Sequence, residues 1–267
     1  MLTQTQRQAA SDLLWDAWQQ GRRIGALPAA IRPATREEGY AVQALLEHRS
    51  AYPLCGWKIA ATSSAGQRHI GVDGPLAGRL LRERVYQSGV ELALGANHMK
   101  VAEPEFAFRM GKTLSARASA FALDEVMAAV ETLHPAIELP DSRYDDFTAA
   151  GAAQLIADNA CAHCFVLGPA AGTWWRSQDL AEHLVTAIVT GRRPQQGKGG
   201  NVLGDPRLAL TWLANELSHL GIDLAAGQVV TTGTCMSPLN IEPTDHVLAD
   251  FGALGSVELR FAALSPA

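Results

Sequence analysis

The chain has 267 residues, 48% of them hydrophobic, enough to fill the core of one large domain. Its net charge of -5, without clusters of lysine or arginine, leaves no footprint for nucleic acid, and no apolar run approaches the roughly 20 residues that span a bilayer. The amphipathic N-terminus lacks the continuous apolar stretch of a secretory signal, so a cytoplasmic location is expected.

Residues 4–21 carry Leu13, Leu14, Ala17 and Trp18 at helical spacing and predict a first helix. A second is expected over 36–50, where Ala41, Leu45 and Leu46 repeat the spacing behind Thr35 as its N-cap. From Gly56 the texture changes: WKIAAT, VELAL and EFAFRMG read as short strands broken by glycine, proline and asparagine. Further helices are predicted over 123–133, with Asp124 and Glu125 in the first turn, and over 206–219, ending at Gly221. VVTTGT and VELRF supply late strands. The glycine-rich segment 191–204 matches neither phosphate-binding glycine motif and is expected to be a loop at the surface or the active site. Helices first, then strands without a regular βαβ rhythm, predict an α+β fold: a helical N-terminal segment, 1–55, and a catalytic mixed-β domain, 56–267.

Four cysteines are too few and scattered for a disulfide scaffold. Cys161 and Cys164 frame His163 in a C-x-x-C, the pattern of half a zinc site or a redox pair. No second ligand pair and no helix N-terminus accompany them, so they are expected as small buried residues of a strand. Trp174 and Trp175 are expected in packing or an interface.

Chemistry is expected at three acids. Glu103 and Glu105 are two residues apart, so on a strand both carboxylates share a face, with Ala102, Pro104 and Phe106 on the other. Such a pair either lies solvated on a strand edge or repels unless a cation sits between its members. Glu138, flanked by Ile137 and Leu139, would be costly to bury unpaired. Three carboxylates without a histidine or cysteine beside them form a hard oxygen site that suits Mg²⁺ or Mn²⁺ and leaves positions open for water and substrate.

Several motifs in order, GWKIAATS, IGVDGPLAGRL, EPEFAF, IELPDSRYDDF, IADNA, NVLGDP, WLANEL and DFGALGSVELRF, resemble the fumarylacetoacetate hydrolase superfamily, specifically its branch of 2-keto-4-pentenoate hydratases and 4-oxalocrotonate decarboxylases. The resemblance covers most of the chain. It implies a rolled β-sheet domain of fumarylacetoacetate hydrolase type, a homo-oligomer, and a small 2-oxo acid of aromatic meta-cleavage catabolism as substrate. Glu103, Glu105 and Glu138 match the metal ligands, and Lys58 matches the lysine placed near the substrate. The metal of such enzymes chelates the substrate's carboxylate and 2-keto oxygen and stabilises an enolate, through which hydration or loss of CO₂ can pass. Thr234, in a turn resembling the superfamily's S-T-G-T, is a candidate for the substrate carboxylate.

The sequence departs from the branch at Asp73-Gly74-Pro75-Leu76-Ala77-Gly78. Hydratases tend to read D-Q-P-D-F-G there, so Leu76 replaces an acid that would donate or accept a proton. Ser64 and Asp205 also differ from common members. Candidate substitutes for the missing group are His134, which shares the face of Glu138 by period two, His69 just before IGVDGP, and Asp158 of IADNA. The expected activity is a 2-keto-4-pentenoate hydratase-like lyase. The alternatives are a 4-oxalocrotonate-type decarboxylase, an acylpyruvate-type C–C bond hydrolase, which needs a histidine–carboxylate dyad, and a non-catalytic partner subunit.

Overall fold

The computed structural model describes residues 1–263. Helix α1 (Gln4–Gln19) opens with a capping box in which Thr3 and Gln6 satisfy each other's backbone N–H groups. Helix α2 (Arg36–Gln43) is capped by Thr35, whose side chain accepts from the Glu38 N–H. It gives way at Ala44 to a 3₁₀ segment, Ala44–Arg49, so the second predicted helix is α-helical only in its first half. Then follow β1 (Gly56–Ala60), α3 (Ser64–His69), β2 (Leu76–Leu80), β3 (Val85–Gln87), β4 (Val90–Leu92) and β5 (Val101–Met110). Next come α4 (Leu123–Ala129), β6 (Val130–Leu139), α5 (Ala152–Ala157), β7 (Cys164–Leu167), β8 (Leu184–Val189) and β9 (Gln195–Lys198). The order ends with α6 (Pro206–His219), β10 (Val229–Thr234), β11 (Leu239–Asn240), β12 (His246–Asp250) and β13 (Ser256–Phe261).

Two expected boundaries are corrected. The helix placed at 123–133 stops at Ala129, because β-branched Val130 and Thr132 enter the sheet opposite Met110 and Arg109. The segment 191–204 is not all loop: Gln195–Lys198 pairs with β8, and only its flanks turn.

The strands form two sheets. The first runs β2-β1-β10-β5-β6-β7-β3, with β11 beside the start of β5, and the second runs β4-β13-β12-β8-β9. β5 lies between β10 and β6, so Glu103 and Glu105 do not sit on a solvated edge. One face of the β5–β6 pair turns Phe106, Phe108, Leu133 and Ile137 into the main core, where Val185, Val247, Val257 and Leu259 of the second sheet join the same cluster. α6 adds Ala209, Leu210, Leu213 and Leu217. The first sheet curls, as in the rolled domain expected from the resemblance. Its other face carries Ala107 and Ala136, packed in a smaller cluster with Leu80, Val85, Phe165, Leu167 and Val229.

The N-terminal segment is fastened to residues 141–158. Ala10, Leu14, Leu27 and Val42 share a small core with Tyr144 and Ala157. The Gln43 amide donates to Ala77 O at 2.8 Å and Ile156 O at 2.9 Å, and Arg23 forms a buried ion pair with Asp141. Beneath this contact Arg143 pairs with Asp158 in full burial and donates to Asp141 O at 2.8 Å and Ala162 O at 3.0 Å. No helix of the described residues is long and apolar enough to cross a membrane.

Breaking that clamp leaves a buried guanidinium without its partner. Asp158→Ala is expected to lower unfolding stability by about 3–5 kcal/mol in chemical denaturation; a loss below about 1 kcal/mol would show that the pair contributes little.

Candidate metal centre

Strand register brings the three acids together. β5 and β6 run antiparallel with Glu103 opposite Glu138 and Glu105 opposite Ala136, and the two-residue period then puts all three side chains on one face. Oxygen atoms of Glu103, Glu105 and Glu138 lie within 4.8 Å of one another. Glu105 and Glu138 are buried at 0% and 1% exposure, while Glu103 is half-buried at the wall of a cavity of about 700 Å³.

The acids are only partly compensated by the protein. Glu105 Oε2 accepts from the Thr231 hydroxyl and, at 2.7 Å, from the Gly233 N–H. Gly233 reaches this position with φ +98°, and a Cβ there would fall 2.0 Å from Thr62 Oγ1, which explains the glycine of the TTGT turn. Glu105 Oε1 and both oxygens of Glu138 are buried with no aligned hydrogen-bond donor. Lys58, on β1 level with Thr231, puts Nζ 3.1 Å from Glu138 Oε2 and donates to Ala160 O at 2.9 Å. Its stem passes over Gly78, where a Cβ would come within 3.0 Å of the lysine's methylene carbons.

Burial pushes the Glu103 carboxyl up to about 7, with the neighbouring Glu138 charge adding to the rise. Glu105 is held well above the ordinary carboxylate range by burial and then by Glu138 and Glu103; burial also raises Glu138, against the pull of Lys58. For Lys58, burial disfavours the ammonium, but the three carboxylates outweigh it and hold the group above the ordinary lysine range. Three carboxylates and one ammonium leave two negative charges, which a divalent cation neutralises. Unpartnered buried oxygens, hard donors and this charge balance fit a divalent metal held by Glu103, Glu105 and Glu138.

Ala160, whose carbonyl accepts the lysine's hydrogen bond, sits in an unusual turn: Asn159, Ala160 and Cys161 have φ of 55°, 50° and 62° in succession. Left-handed backbone at three non-glycine residues persists only when the surroundings impose it. Asn159 is held by paired hydrogen bonds with the Arg79 backbone, at 2.6 and 2.9 Å, and the Arg143–Asp158 clamp fixes the preceding residue.

The remaining candidates are placed as follows. Thr234 pairs with Glu105 in register and lines the cavity, its hydroxyl donating to Met236 O at 2.9 Å. His69 lies at the mouth on α3, its ring 5.9 Å from Phe147. His134 does share the face of Glu138, but four residues away, roughly 13 Å along the strand. Its ring nitrogens bond Gly168 O at 2.9 Å and Thr132 Oγ1 at 2.8 Å, and it does not line the cavity. Asp158 is likewise no free proton carrier: Arg143 and the Ser142 hydroxyl, at 2.7 Å, occupy it. Neither residue, both expected as proton-transfer helpers, lines the cavity. Cys161 and Cys164 are buried free thiols, and burial pushes the first up to about 12, which favours its protonated form. Thr231, Gly78, Gly233 and Ala160 were not expected in the site. A threonine two residues before the turn glycine in a buried strand was the one available signal, for Thr231.

The family described as fumarylacetoacetate (FAA) hydrolase C-terminal matches residues 83–262. The chain is 29% identical over 263 residues to the 2-keto-4-pentenoate hydratase of Paraburkholderia xenovorans (strain LB400), covering 97% of this chain and 96% of that one. It is 30% identical over 203 residues to a 4-oxalocrotonate decarboxylase of Pseudomonas sp, 76% of each chain. Among solved structures, the 4-oxalocrotonate decarboxylase from Pseudomonas putida G7, complexed with magnesium and adipate, matches with a TM-score of 0.89 and 27% identity, over 98% of this chain and 99% of that one. The chain belongs to the fumarylacetoacetate hydrolase family, in its branch of 2-keto-4-pentenoate hydratases and 4-oxalocrotonate decarboxylases.

Proposed function

We propose that this protein is a Mg²⁺- or Mn²⁺-dependent lyase on small 2-oxo acids, a 2-keto-4-pentenoate hydratase-like enzyme. The observation that carries this reading is the cluster of half-buried Glu103 with buried Glu105 and Glu138, beside Lys58, with Glu103 and Lys58 at the wall of one cavity. When bound, a divalent cation supplies Lewis-acid polarisation of substrate oxygens. The chain's own residues do the rest. Glu105 is oriented by Thr231 and Gly233, and Lys58 is oriented by Glu138 and Ala160, so a proton is held at Nζ beside the substrate position. Thr234 offers a polar rim for the substrate carboxylate. Leu76 is fully buried on the cavity wall and offers no proton, which leaves Lys58, His69 at the mouth and water as proton sources.

Decarboxylation of a 4-oxalocrotonate-type acid is the second reading. It is favoured by the solved relative, which was obtained with magnesium and adipate. Hydrolysis of acylpyruvate type finds no support: His69, the histidine on the cavity wall among the described residues, rests against Phe147 and makes no bond to a carboxylate. The complete triad beside Lys58 favours an enzyme over a non-catalytic partner subunit.

Three outcomes are expected. With Mg²⁺ or Mn²⁺, 2-hydroxypenta-2,4-dienoate should lose absorbance without releasing CO₂. Loss with CO₂ release on 2-oxohex-3-enedioate would instead establish the decarboxylase, and no turnover of either would remove the lyase reading. Glu103→Gln and Glu138→Gln should each weaken Mg²⁺ binding on the order of 100-fold or more, and lower kcat/KM about 1000-fold. Their metal-free melting temperatures should stay level or rise, because each change removes a buried repulsion; unaltered Mg²⁺ affinity in both would exclude the triad as the site. Finally, because the Glu103 carboxyl is raised in the folded protein, the native state keeps a proton that the unfolded chain has lost. The metal-free protein is therefore stabilised at low pH and loses that contribution as pH rises through about 7. Since the metal takes the deprotonated ligands, saturating Mg²⁺ should raise the melting temperature by roughly 5 °C at pH 8 and by much less at pH 5.5. Equal shifts at both pH values would contradict this.

A further inference from the structure

Away from Glu103 the larger part of the cavity wall is apolar, with Ile70, Leu76, Met99, Val101, Phe147 and Leu155, and the side chains of Thr62, Ser63, Asn201, Thr234 and Ser237 add neutral polar groups but no charge. Among the described residues, its ionisable groups are Lys58, Glu103, His69 and Cys161, and no arginine reaches it. Lys58 is already committed to Glu138 and Ala160 O, and Cys161 is a buried thiol. His69 rests edge-on against Phe147, and Arg68 of the same short helix is exposed and off the wall. A second carboxylate on the substrate, carried down this wall, would be desolvated without a cation to meet it. At about 700 Å³ the cavity also falls in the range that encloses ligands much larger than a five-carbon acid.

We infer that the substrate of this chain is a 2-oxo acid, or its enol, with one carboxylate and a neutral apolar tail extending past the fifth carbon. Leu76, Met99, Phe147 and Leu155 select that tail and reject a terminal carboxylate. The inference rests on the lyase reading and narrows its substrate. It also gives Leu76 a role: an aspartate there would put a charge where the tail lies.

Calorimetric titration of the Mg²⁺-loaded protein tests this without turnover, using 2-oxobutanoate, 2-oxohexanoate, 2-oxooctanoate and 2-oxoadipate. Affinity should rise roughly fourfold per methylene along the monocarboxylates. 2-Oxoadipate should bind at least ~10-fold more weakly than 2-oxohexanoate, which has the same carbon count. Met99→Arg, at a partly exposed wall position, should shift that ratio at least ~10-fold toward 2-oxoadipate. Affinity that is flat along the series, or 2-oxoadipate binding as tightly as 2-oxohexanoate, would overturn the inference. So would tight 2-oxoadipate binding that His69→Leu abolishes, since His69 would then be the second carboxylate's partner. In each of these cases Mg²⁺-dependent binding of 2-oxobutanoate leaves the lyase reading standing; if no 2-oxo acid binds with Mg²⁺ present, both fall.

Discussion

Repulsion among three buried carboxylates is the constraint around which the rest of the molecule is arranged. Two of them occupy adjacent same-face positions of a central strand, and the third sits directly across the ladder, where like charges destabilise a sheet. The fold offsets this with one ammonium, one hydroxyl and one backbone N–H, and stops short of neutrality. What remains is a hole in the electrostatics of the sheet with the charge of a divalent cation. Stability and function are in opposition at these residues, and the rest of the chain supplies the stability.

The supply is visible in the two faces of the β5–β6 pair. Phe106, Phe108, Leu133 and Ile137 anchor one face in the core, so the strands cannot slip in register without exposing aromatic side chains. Ala107 and Ala136 pack the other face in a smaller cluster with Phe165, Leu167 and Val229. The N-terminal segment, which contributes no residue to the site, packs over 141–158 and so supports the turn that gives Lys58 its acceptor.

Much of the site was legible in the sequence because strand periodicity is short and exact in sign: E-x-E between apolar residues, and a lone glutamate in a second apolar run, specify a shared face once the strands pair. Lys58 came from the resemblance alone, since nothing in GWKIA distinguishes a snorkelling lysine from one aimed inward. The positions of His134 and Asp158, off the cavity, were hidden for a common reason. Period two gave His134 the right face but not its distance or its partners, and the guanidinium that occupies Asp158 is 15 residues away in sequence. The strand Gln195–Lys198 was hidden by a composition with little β-propensity, its pairing imposed by β8. The end of α4 at Ala129 was hidden because apolar residues continue across the helix–strand junction.

The left-handed run of Asn159, Ala160 and Cys161 has an implication for how genetic variation in this protein should be read. No glycine relaxes the turn, so its shape is borrowed from Arg79, Arg143 and Asp158, none of which lines the cavity. A change at any of these supports would let the turn relax and withdraw the carbonyl that aims Lys58. A variant at such a position that lost activity would be mistaken for a lesion in the candidate site, although Lys58, Glu103, Glu105 and Glu138 were all intact.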